Sequence, residues 1–249
     1  MATEFAATGA KIALFSPEAE KQAEVARRCV ELGGSAVSVV GDVTREEDCG
    51  NLAARALSEF GSIDYLIANA GISMWARFAE VDDLEVFRRL AEVNYLGAVN
   101  CIHFALPHLL ASKGMVVAIT SIQGKIGVPL HTGYVASKHA LQGFCEALRM
   151  ELHGSGVDIL TVLPHWLRGT DLRKNAFGKD GRTLGAASKR HSKESISLEE
   201  AAHAIMRATY KRKRSLVIPW KLRLLLALNM FCPGLAENLI LGAVKHQDE

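Results

Sequence analysis

Two residues of this sequence are spaced for acid–base chemistry. Tyr134 and Lys138 lie four positions apart in a segment of helical periodicity, which predicts that both side chains share one helix face. A phenol with a pKa of about 10 exchanges protons poorly at neutral pH, but a neighbouring ammonium favours the phenolate and lowers that pKa. Lowering the phenol pKa by about three units requires about 4 kcal/mol of preferential stabilisation of the phenolate. We expect a second positively charged partner to contribute to it. Alone, such a pair is more often a chance feature of a helix surface.

Further polar residues follow the ends of apolar runs elsewhere in the chain. Ser121 ends one such run 13 residues before Tyr134, and Asn94 lies 27 residues before Ser121. Two shorter clusters follow earlier runs in the same way: Asn69-Ala70-Gly71 and Asp42-Val43. In open α/β sheets, ligands bind beyond the carboxyl ends of the strands, so these residues are candidates for one site.

The elements that must position these residues alternate along the chain. Short apolar runs predict strands at 10–15, 35–40, 63–68, 115–120, 157–163 and 215–219, with helical patterns between most of them. Ser16 and Pro17 predict the start of a helix, and Thr44 with Glu47 and Ser197 with Glu200 predict capping boxes. Nearly continuous apolar strands alternating with helices predict a doubly wound, Rossmann-like α/β fold with a parallel sheet covered on both faces.

In type, order and spacing, these residues resemble the short-chain dehydrogenases/reductases. Asn94, Ser121, Tyr134 and Lys138 match the catalytic tetrad of that family, and the resemblance covers about residues 3–220. It implies that Tyr134 is the general acid/base, that Ser121 binds the same substrate oxygen, and that Lys138 lowers the tyrosine pKa and holds the nicotinamide ribose. It implies for Asn94 that it positions a water linking Lys138 to solvent.

The resemblance also implies a dinucleotide site. Asp42 and Val43 would contact the adenine, while Asn69, Ala70 and Gly71 would line the cofactor channel, and Tyr134, Lys138 and Pro164 would lie beside the nicotinamide. Ser16, at the end of the first predicted strand, is neutral where an acidic residue would select NAD(H). We therefore expect NADP(H), with NAD(H) as the alternative.

The chain departs from the family pattern in two places. The family's first strand ends in a T-G-x-x-x-G-x-G turn that holds the pyrophosphate, but Thr8-Gly9-Ala10 precedes a strand and lacks the later glycines. We therefore expect the normally central first strand to be absent, a difference of about 15–25 residues. The second departure is Pro164-His165, where the family usually has Pro-Gly, with Thr170 one place later than its usual threonine.

Composition narrows the range of partners. A net charge of +2 over 249 residues does not indicate a nucleic-acid-binding protein. Five scattered cysteines without a C-x-x-C pair, and nine histidines without ligand spacing, predict neither a disulfide framework nor a metal site. With no secretory signal at the N-terminus, we expect a reducing, cytoplasmic location.

The last thirty residues form a different kind of segment. We divide the chain into a Rossmann-like domain at 1–219, lacking its first strand, and a leucine-rich helical tail at 220–249. Charged and polar residues interrupt the tail, so it is too broken to span a membrane. The preceding Lys211-Arg212-Lys213-Arg214 indicates either a solvated helix end or contact with an anionic membrane surface. The tail could also pack on a second subunit.

Three interpretations of function follow. The first is an oxidoreductase transferring hydride between NADP(H) and the carbonyl or hydroxyl of a hydrophobic substrate, for which Met74, Trp75 and Phe78 are candidate pocket residues. The second is a catalytically impaired relative that acts as a binding or assembly partner. The third is an ordinary enzyme whose gene model begins too late.

Overall fold

The computed structural model describes residues 1–185 and 195–248 of the chain. Strands and helices alternate over most of its length. The strands are β1 (Lys11–Ser16), β2 (Ser35–Val40), β3 (Tyr65–Ala68), β4 (Met115–Ile119), β5 (Asp158–Pro164), β6 (Leu167–Arg168), β7 (Ile196–Ser197) and β8 (Ser215–Ile218). The α-helices are α1 (Ala2–Ala6), α2 (Ala19–Glu31), α3 (Glu46–Phe60), α4 (Glu85–Ala91), α5 (Gly97–Ser112), α6 (Thr132–Glu151), α7 (Leu198–Tyr210), α8 (Leu222–Phe231) and α9 (Pro233–Asp248).

The strands form an α/β fold of the Rossmann type, with parallel sheets flanked by helices. β3, β4, β5 and β8 pair in that order into a four-stranded parallel sheet. β1 and β2 form a separate parallel pair, and β6 and β7 a third, short one. Within the described residues, β1 and β3 are not hydrogen-bonded to each other. Each therefore has one edge that pairs with no other strand in this part of the chain.

The four-stranded sheet is covered on both faces. Val116 and Ala118 of β4 pack with α5 and α6, whereas Met115 and Val117, which alternate with them, pack with Ile205 of α7. This period of two is what a strand buried on both faces requires.

The two-stranded sheet is much less covered. No residue of β1 or β2 is fully buried, and Val40 is 58% exposed. Helices α2 and α3 both contact β1 and β2, so helices flank this sheet as predicted. Its residues are less buried than those of the four-stranded sheet, because no strand adjoins β1 on its other side within the described residues.

The predicted helix starts have mixed outcomes. Ser197 and Glu200 form the capping box at the start of α7. The prediction for Thr44 and Glu47 is wrong, since α3 begins at Glu46 and the Thr44 hydroxyl instead donates to Asp42 Oδ1 at 2.9 Å. Ser16 is the last residue of β1 rather than a helix cap, and α2 begins only at Ala19.

The tail forms two helices that lie partly on the body of the protein. Ile240 of α9 and Leu222 of α8 pack with Ile122 and Ile126, just after the end of β4. The opposite side leaves large apolar residues exposed: Leu224, Met230, Phe231, Leu235, Leu239 and Leu241. None of the helices in the described part of the chain is long and apolar enough to cross a bilayer.

Candidate active site

Four buried polar residues come from three elements that meet beyond the end of β4. Ser121 follows β4, Tyr134 and Lys138 lie one turn apart on α6, and Asn94 lies in the π-helical turn Glu92–Leu96 that precedes α5. Each is at most 7% exposed. A π-turn displaces one residue out of the regular helical pattern and is frequently found at functional sites.

Ser121 is positioned by the backbone at the end of its strand. Its hydroxyl accepts a hydrogen bond from Gln123 N at 3.1 Å and lies 3.5 Å from the carbonyl oxygen of Pro164. It is also close enough to the Tyr134 phenol for hydrogen bonding to lower that phenol's pKa, but burial acts more strongly and raises the pKa of Tyr134 to about 12. The phenol is therefore held in its protonated form at neutral pH.

Lys138 has a different environment from the one that the sequence predicts. Its Nζ donates to the carbonyl oxygen of Ile119 at 2.9 Å and lies 5.8 Å from the centre of the Tyr134 ring. Burial lowers the pKa of Lys138 to about 8. The expected lowering of the tyrosine pKa by Lys138 is absent from this structure, because burial disfavours the charged form of both side chains.

Asn94 hydrogen-bonds the π-helical turn in which it lies to the segment that follows β3. Its Nδ2 donates to the carbonyl oxygen of Ile72 and to Ser137 Oγ, both at 2.9 Å, and its Oδ1 accepts from Ile72 N at 2.8 Å. Ser137 in turn donates to the carbonyl oxygen of Tyr134 at 2.8 Å. The amide thus fixes the Asn69-Ala70-Gly71 segment relative to α6.

Gly71 provides a test of whether a nicotinamide nucleotide fits here. A Cβ at Gly71 would lie 3.3 Å from Asn94 Oδ1 and 3.4 Å from Lys138 Nζ, so the missing side chain leaves the lysine approachable from this side. Asn69 and Ala70 beside it are exposed. The Lys138 ammonium beside this exposed backbone is suited to a ribose hydroxyl, so the residues at the nicotinamide end fit the cofactor.

The predicted adenine end lies on the two-stranded sheet. Asp42 and Val43 follow β2, where Asp42 Oδ1 accepts from Thr44 N and Val43 packs against Gly97. Ser16 Oγ accepts from Glu18 N at 3.0 Å. Glu18 is an acidic residue near this position that sequence reasoning passed over, and it forms an ion pair with Lys21 at 2.6 Å.

The middle of the cofactor path does not fit. In the described part of the chain, no glycine-rich turn joins a strand to the start of a helix, which is the structure that binds a pyrophosphate. Ser16 ends β1, Asp42 follows β2 and Asn69 follows β3, each at the carboxyl end of a strand.

An aromatic cluster beside Tyr134 was not identified from the sequence. The His131 ring lies 4.7 Å from that of Trp75, 5.6 Å from that of Trp166 and 6.4 Å from that of Tyr134. Arg173 lies 4.4 Å from the ring centre of Trp75. The one signal in the sequence for His131 is its position three residues before Tyr134. Trp75 and Trp166 come from distant segments, so the sequence does not indicate that they contact it.

The residues predicted to line a substrate pocket differ in burial and in surroundings. Met74 is fully buried with Phe177 in the core, whereas Phe78 is 63% exposed. Thr170 Oγ1 donates to the carbonyl oxygen of Leu167 at 3.4 Å, in the segment that follows His165. Of the three residues proposed from sequence, Met74 packs in the same cluster as Tyr134, and Trp75 lies against His131, whose ring neighbours that of Tyr134.

The fold and the tyrosine site together define an oxidoreductase of the Rossmann type. A sequence model of the family described as short chain dehydrogenase matches residues 1–181. This chain belongs to that family of oxidoreductases.

Individual relatives agree with this assignment. The 11-beta-hydroxysteroid dehydrogenase-like 4A of Arabidopsis thaliana is 32% identical over 239 residues, covering 94% of this chain and 77% of that protein. Dehydrogenase/reductase SDR family member 7B of Mus musculus is 34% identical over 222 residues, covering 86% of this chain and 67% of that protein.

A solved structure shares the fold. The alcohol dehydrogenase from the archaeon Thermococcus sibiricus, complexed with 5-hydroxy-NADP, superimposes with a TM-score of 0.73, covering 87% of this chain and 88% of that chain. The sequence identity is 22%, so this likeness concerns the fold.

Proposed function

We propose that this protein transfers hydride between NADP(H) and the carbonyl or hydroxyl group of a hydrophobic substrate. The observation that carries the proposal is the approach of the Ser121 hydroxyl to a fully buried Tyr134 phenol, with the Lys138 ammonium beside them. When bound, the nicotinamide would supply or accept the hydride. The chain's own residues would manage the proton and the charge on the substrate oxygen.

Tyr134 acts as the proton donor in the reductive direction. A phenol whose pKa is raised to about 12 remains protonated at neutral pH and can donate to a carbonyl oxygen as negative charge develops there. Ser121 donates a second hydrogen bond to the same oxygen. Lys138, with a pKa of about 8, is mostly cationic at pH 7 and would hold the nicotinamide ribose beside Tyr134.

The nucleotide preference rests on the end of β1. Ser16 leaves room for a 2′-phosphate, and the negative charge of Glu18 is offset by its ion pair with Lys21. The archaeal enzyme of the same fold was solved with an NADP derivative, which supports the same choice. NAD(H) is the alternative cofactor.

The substrate class follows from the walls of the site. Trp75 and Trp166 are half-buried near Tyr134 and offer flat apolar surfaces to a ring-containing ligand. Relatives from Arabidopsis thaliana and Sesamum indicum are named as 11-beta-hydroxysteroid dehydrogenases or as proteins like them, which supports a hydrophobic alcohol or carbonyl compound.

The matched variant Tyr134→Phe tests this function. It keeps the ring and removes the hydroxyl, so we expect NADPH-dependent ketone reduction to fall about a thousandfold while NADPH affinity changes less than about threefold. Asp42→Ala and Asn69→Ala should instead weaken NADPH binding. Reduction rates followed by NADPH absorbance, with calorimetric titration of each variant, separate the two effects. Activity retained in Tyr134→Phe would contradict the acid–base role.

A binding or assembly protein is the second candidate. The observation favouring it is the lack, within the described residues, of a glycine-rich turn where the pyrophosphate would bind. It predicts an intact fold that neither binds NADPH in titration nor turns over ketones. Saturable NADPH binding together with Tyr134-dependent turnover would eliminate it.

For the tail we propose peripheral contact with an anionic membrane surface at the cytoplasmic side. Met230 and Phe231 are 72% and 78% exposed, and the basic run ending at Arg214 lies shortly before them. Flotation with phosphatidylserine vesicles should recover the protein at low salt, and Phe231→Ser should reduce recovery. A dimer in sizing experiments that ignores vesicles would assign the same surface to a second copy of the chain.

A further inference from the structure

His131 is a buried histidine for which the proposed mechanism has no use. It precedes the first residue of α6 and is 1% exposed. Its Nδ1 lies 2.8 Å from the carbonyl oxygen of Pro129. A carbonyl oxygen can only accept, so Nδ1 must carry the hydrogen of this bond.

The protonation state leaves the second ring nitrogen as an acceptor. Burial, with a smaller contribution from Arg173, lowers the pKa of His131 to about 4, so the imidazole is neutral at physiological pH. With the hydrogen on Nδ1, Nε2 presents a bare lone pair. That Nε2 is buried and has no hydrogen-bond partner among residues 1–185 and 195–248. Buried acceptors without a partner are uncommon in folded proteins, which points to a ligand group.

The surroundings of Nε2 are those of the substrate site. The His131 ring neighbours the rings of Tyr134, Trp75 and Trp166, and Tyr134 lies in the first turn of α6, three residues after His131. Both indoles are only half-buried, so the aromatic cluster that contains His131 reaches the protein surface. Displacement of the Trp166 side chain, on the segment after β5, would open Nε2 to a molecule bound at Tyr134.

We propose that His131 Nε2 accepts a hydrogen bond from a hydroxyl or N–H group of the substrate, and so selects substrates that carry such a donor besides their carbonyl. The inference rests on the proposed function, since it places the carbonyl at Tyr134. It specifies the substrate class further: an apolar framework, one carbonyl and one donor within reach of both residues. A compound lacking the donor leaves Nε2 unpaired in an apolar site and binds less well.

A structural role for His131 makes a different prediction. If the ring only fills space at the start of α6, replacing it affects all ligands alike. Two variants separate the roles. His131→Phe keeps an aromatic ring and removes the acceptor, whereas His131→Gln retains an acceptor. His139→Phe is the matched control, because His139 is exposed on the same helix and also bonds to a backbone carbonyl.

The experiment compares cyclohexanone with its 2-, 3- and 4-hydroxy derivatives. Binding to the full chain is followed by tryptophan fluorescence, which needs no turnover, and reduction by NADPH is followed in parallel. In the unaltered protein and in His139→Phe, we expect at least one hydroxyketone to bind about tenfold more tightly than cyclohexanone. His131→Phe should abolish this preference while leaving cyclohexanone affinity within about twofold, and His131→Gln should restore part of it.

The possible outcomes distinguish the role of His131 from the proposed oxidoreductase function. Tyr134-dependent reduction of cyclohexanone with no preference for any hydroxyketone would overturn the role of His131 and leave the oxidoreductase intact. Failure of every ketone to bind or react would overturn both. ¹⁵N NMR of the imidazole provides a check without substitution: the Nε2 resonance should shift on addition of the preferred hydroxyketone, and an unchanged resonance would contradict the contact.

Discussion

The four-stranded sheet and the two-stranded sheet are built from similarly apolar strands, but only one of them is a core. Residues 115–118 of β4 are all fully buried, whereas β1 and β2 contain no fully buried residue. The difference lies in their neighbours. β4 is paired on both edges and covered on both faces, while β1 is paired on one edge only within the described residues. Burial of a strand is therefore a property of its sheet and not of its own composition.

The candidate catalytic residues and the candidate adenosine-binding residues also lie in different halves. Ser121, Tyr134 and Lys138 all lie on the four-stranded half, held by buried elements that fix their positions. The residues expected to hold the adenosine, Ser16, Asp42 and Val43, lie on the open half. Buried packing is thus concentrated around the residues proposed to transfer the proton, and the residues expected to hold the adenosine have less of it.

The largest expected effect comes from joining the two halves. We expect a version extended before Met1 by a strand and T-G-x-x-x-G-x-G turn from a relative to pair with the open edges of β1 and β3. It should bind NADPH at least about a hundredfold more tightly, equivalent to about 3 kcal/mol, and melt at a higher temperature. Calorimetric titration and thermal melts of both versions measure this. Equal NADPH affinities and equal melting temperatures would show that neither cofactor binding nor stability requires a strand between β1 and β3.

Acid should destabilise the protein through the four-stranded half. The pKa of His131 falls from 6.5 to about 4 on folding, so between these values the unfolded chain binds a proton that the folded chain does not. Stability contributed by this group is therefore present above pH 6.5 and lost as pH falls to about 4, a change of about 3 kcal/mol. In urea unfolding at a series of pH values, the unaltered protein should lose about 3 kcal/mol more stability than His131→Phe as pH falls from 6.5 to about 4. Parallel curves of stability against pH would refute the assignment.

A smaller difference should separate two leucines of opposite halves. Leu160 of β5 is fully buried, so Leu160→Ala should cost about 3 kcal/mol in unfolding free energy. Leu14 of β1 is only partly buried, so Leu14→Ala should cost about 1 kcal/mol. Urea denaturation at pH 7 measures both. Equal costs would mean that β1 is as well packed in solution as β5, and the contrast between the halves would fail.

Much of the chain could be predicted because its signals are local. The apolar runs at 115–120 and 157–163 were strands within about one residue, and the Ser197–Glu200 capping box needs only neighbouring residues. The spacing of Tyr134 and Lys138 places them on one helix face by geometry alone. The family assignment also followed from sequence, because the order and spacing of the polar residues are specific.

Other features depend on segments that are distant in sequence. The pKa of Tyr134 rises where an isolated Tyr-x-x-x-Lys pair predicts a fall, because burial of both side chains depends on everything packed around α6. The Thr44 prediction was wrong because Asp42 offers the hydroxyl a nearer partner than the helix does. The cluster of His131, Trp75 and Trp166 has no pattern in the sequence at all.

By itself, the sequence determined the alternation of strands and helices and the family, and it predicted the tyrosine-centred site, since each depends on residue type and short-range spacing. Tertiary structure alone decided that the phenol is held protonated and that, within the described residues, His131 Nε2 has no hydrogen-bond partner. Strand pairing, desolvation and orphaned hydrogen-bond groups are all set by what long-range folding brings into contact.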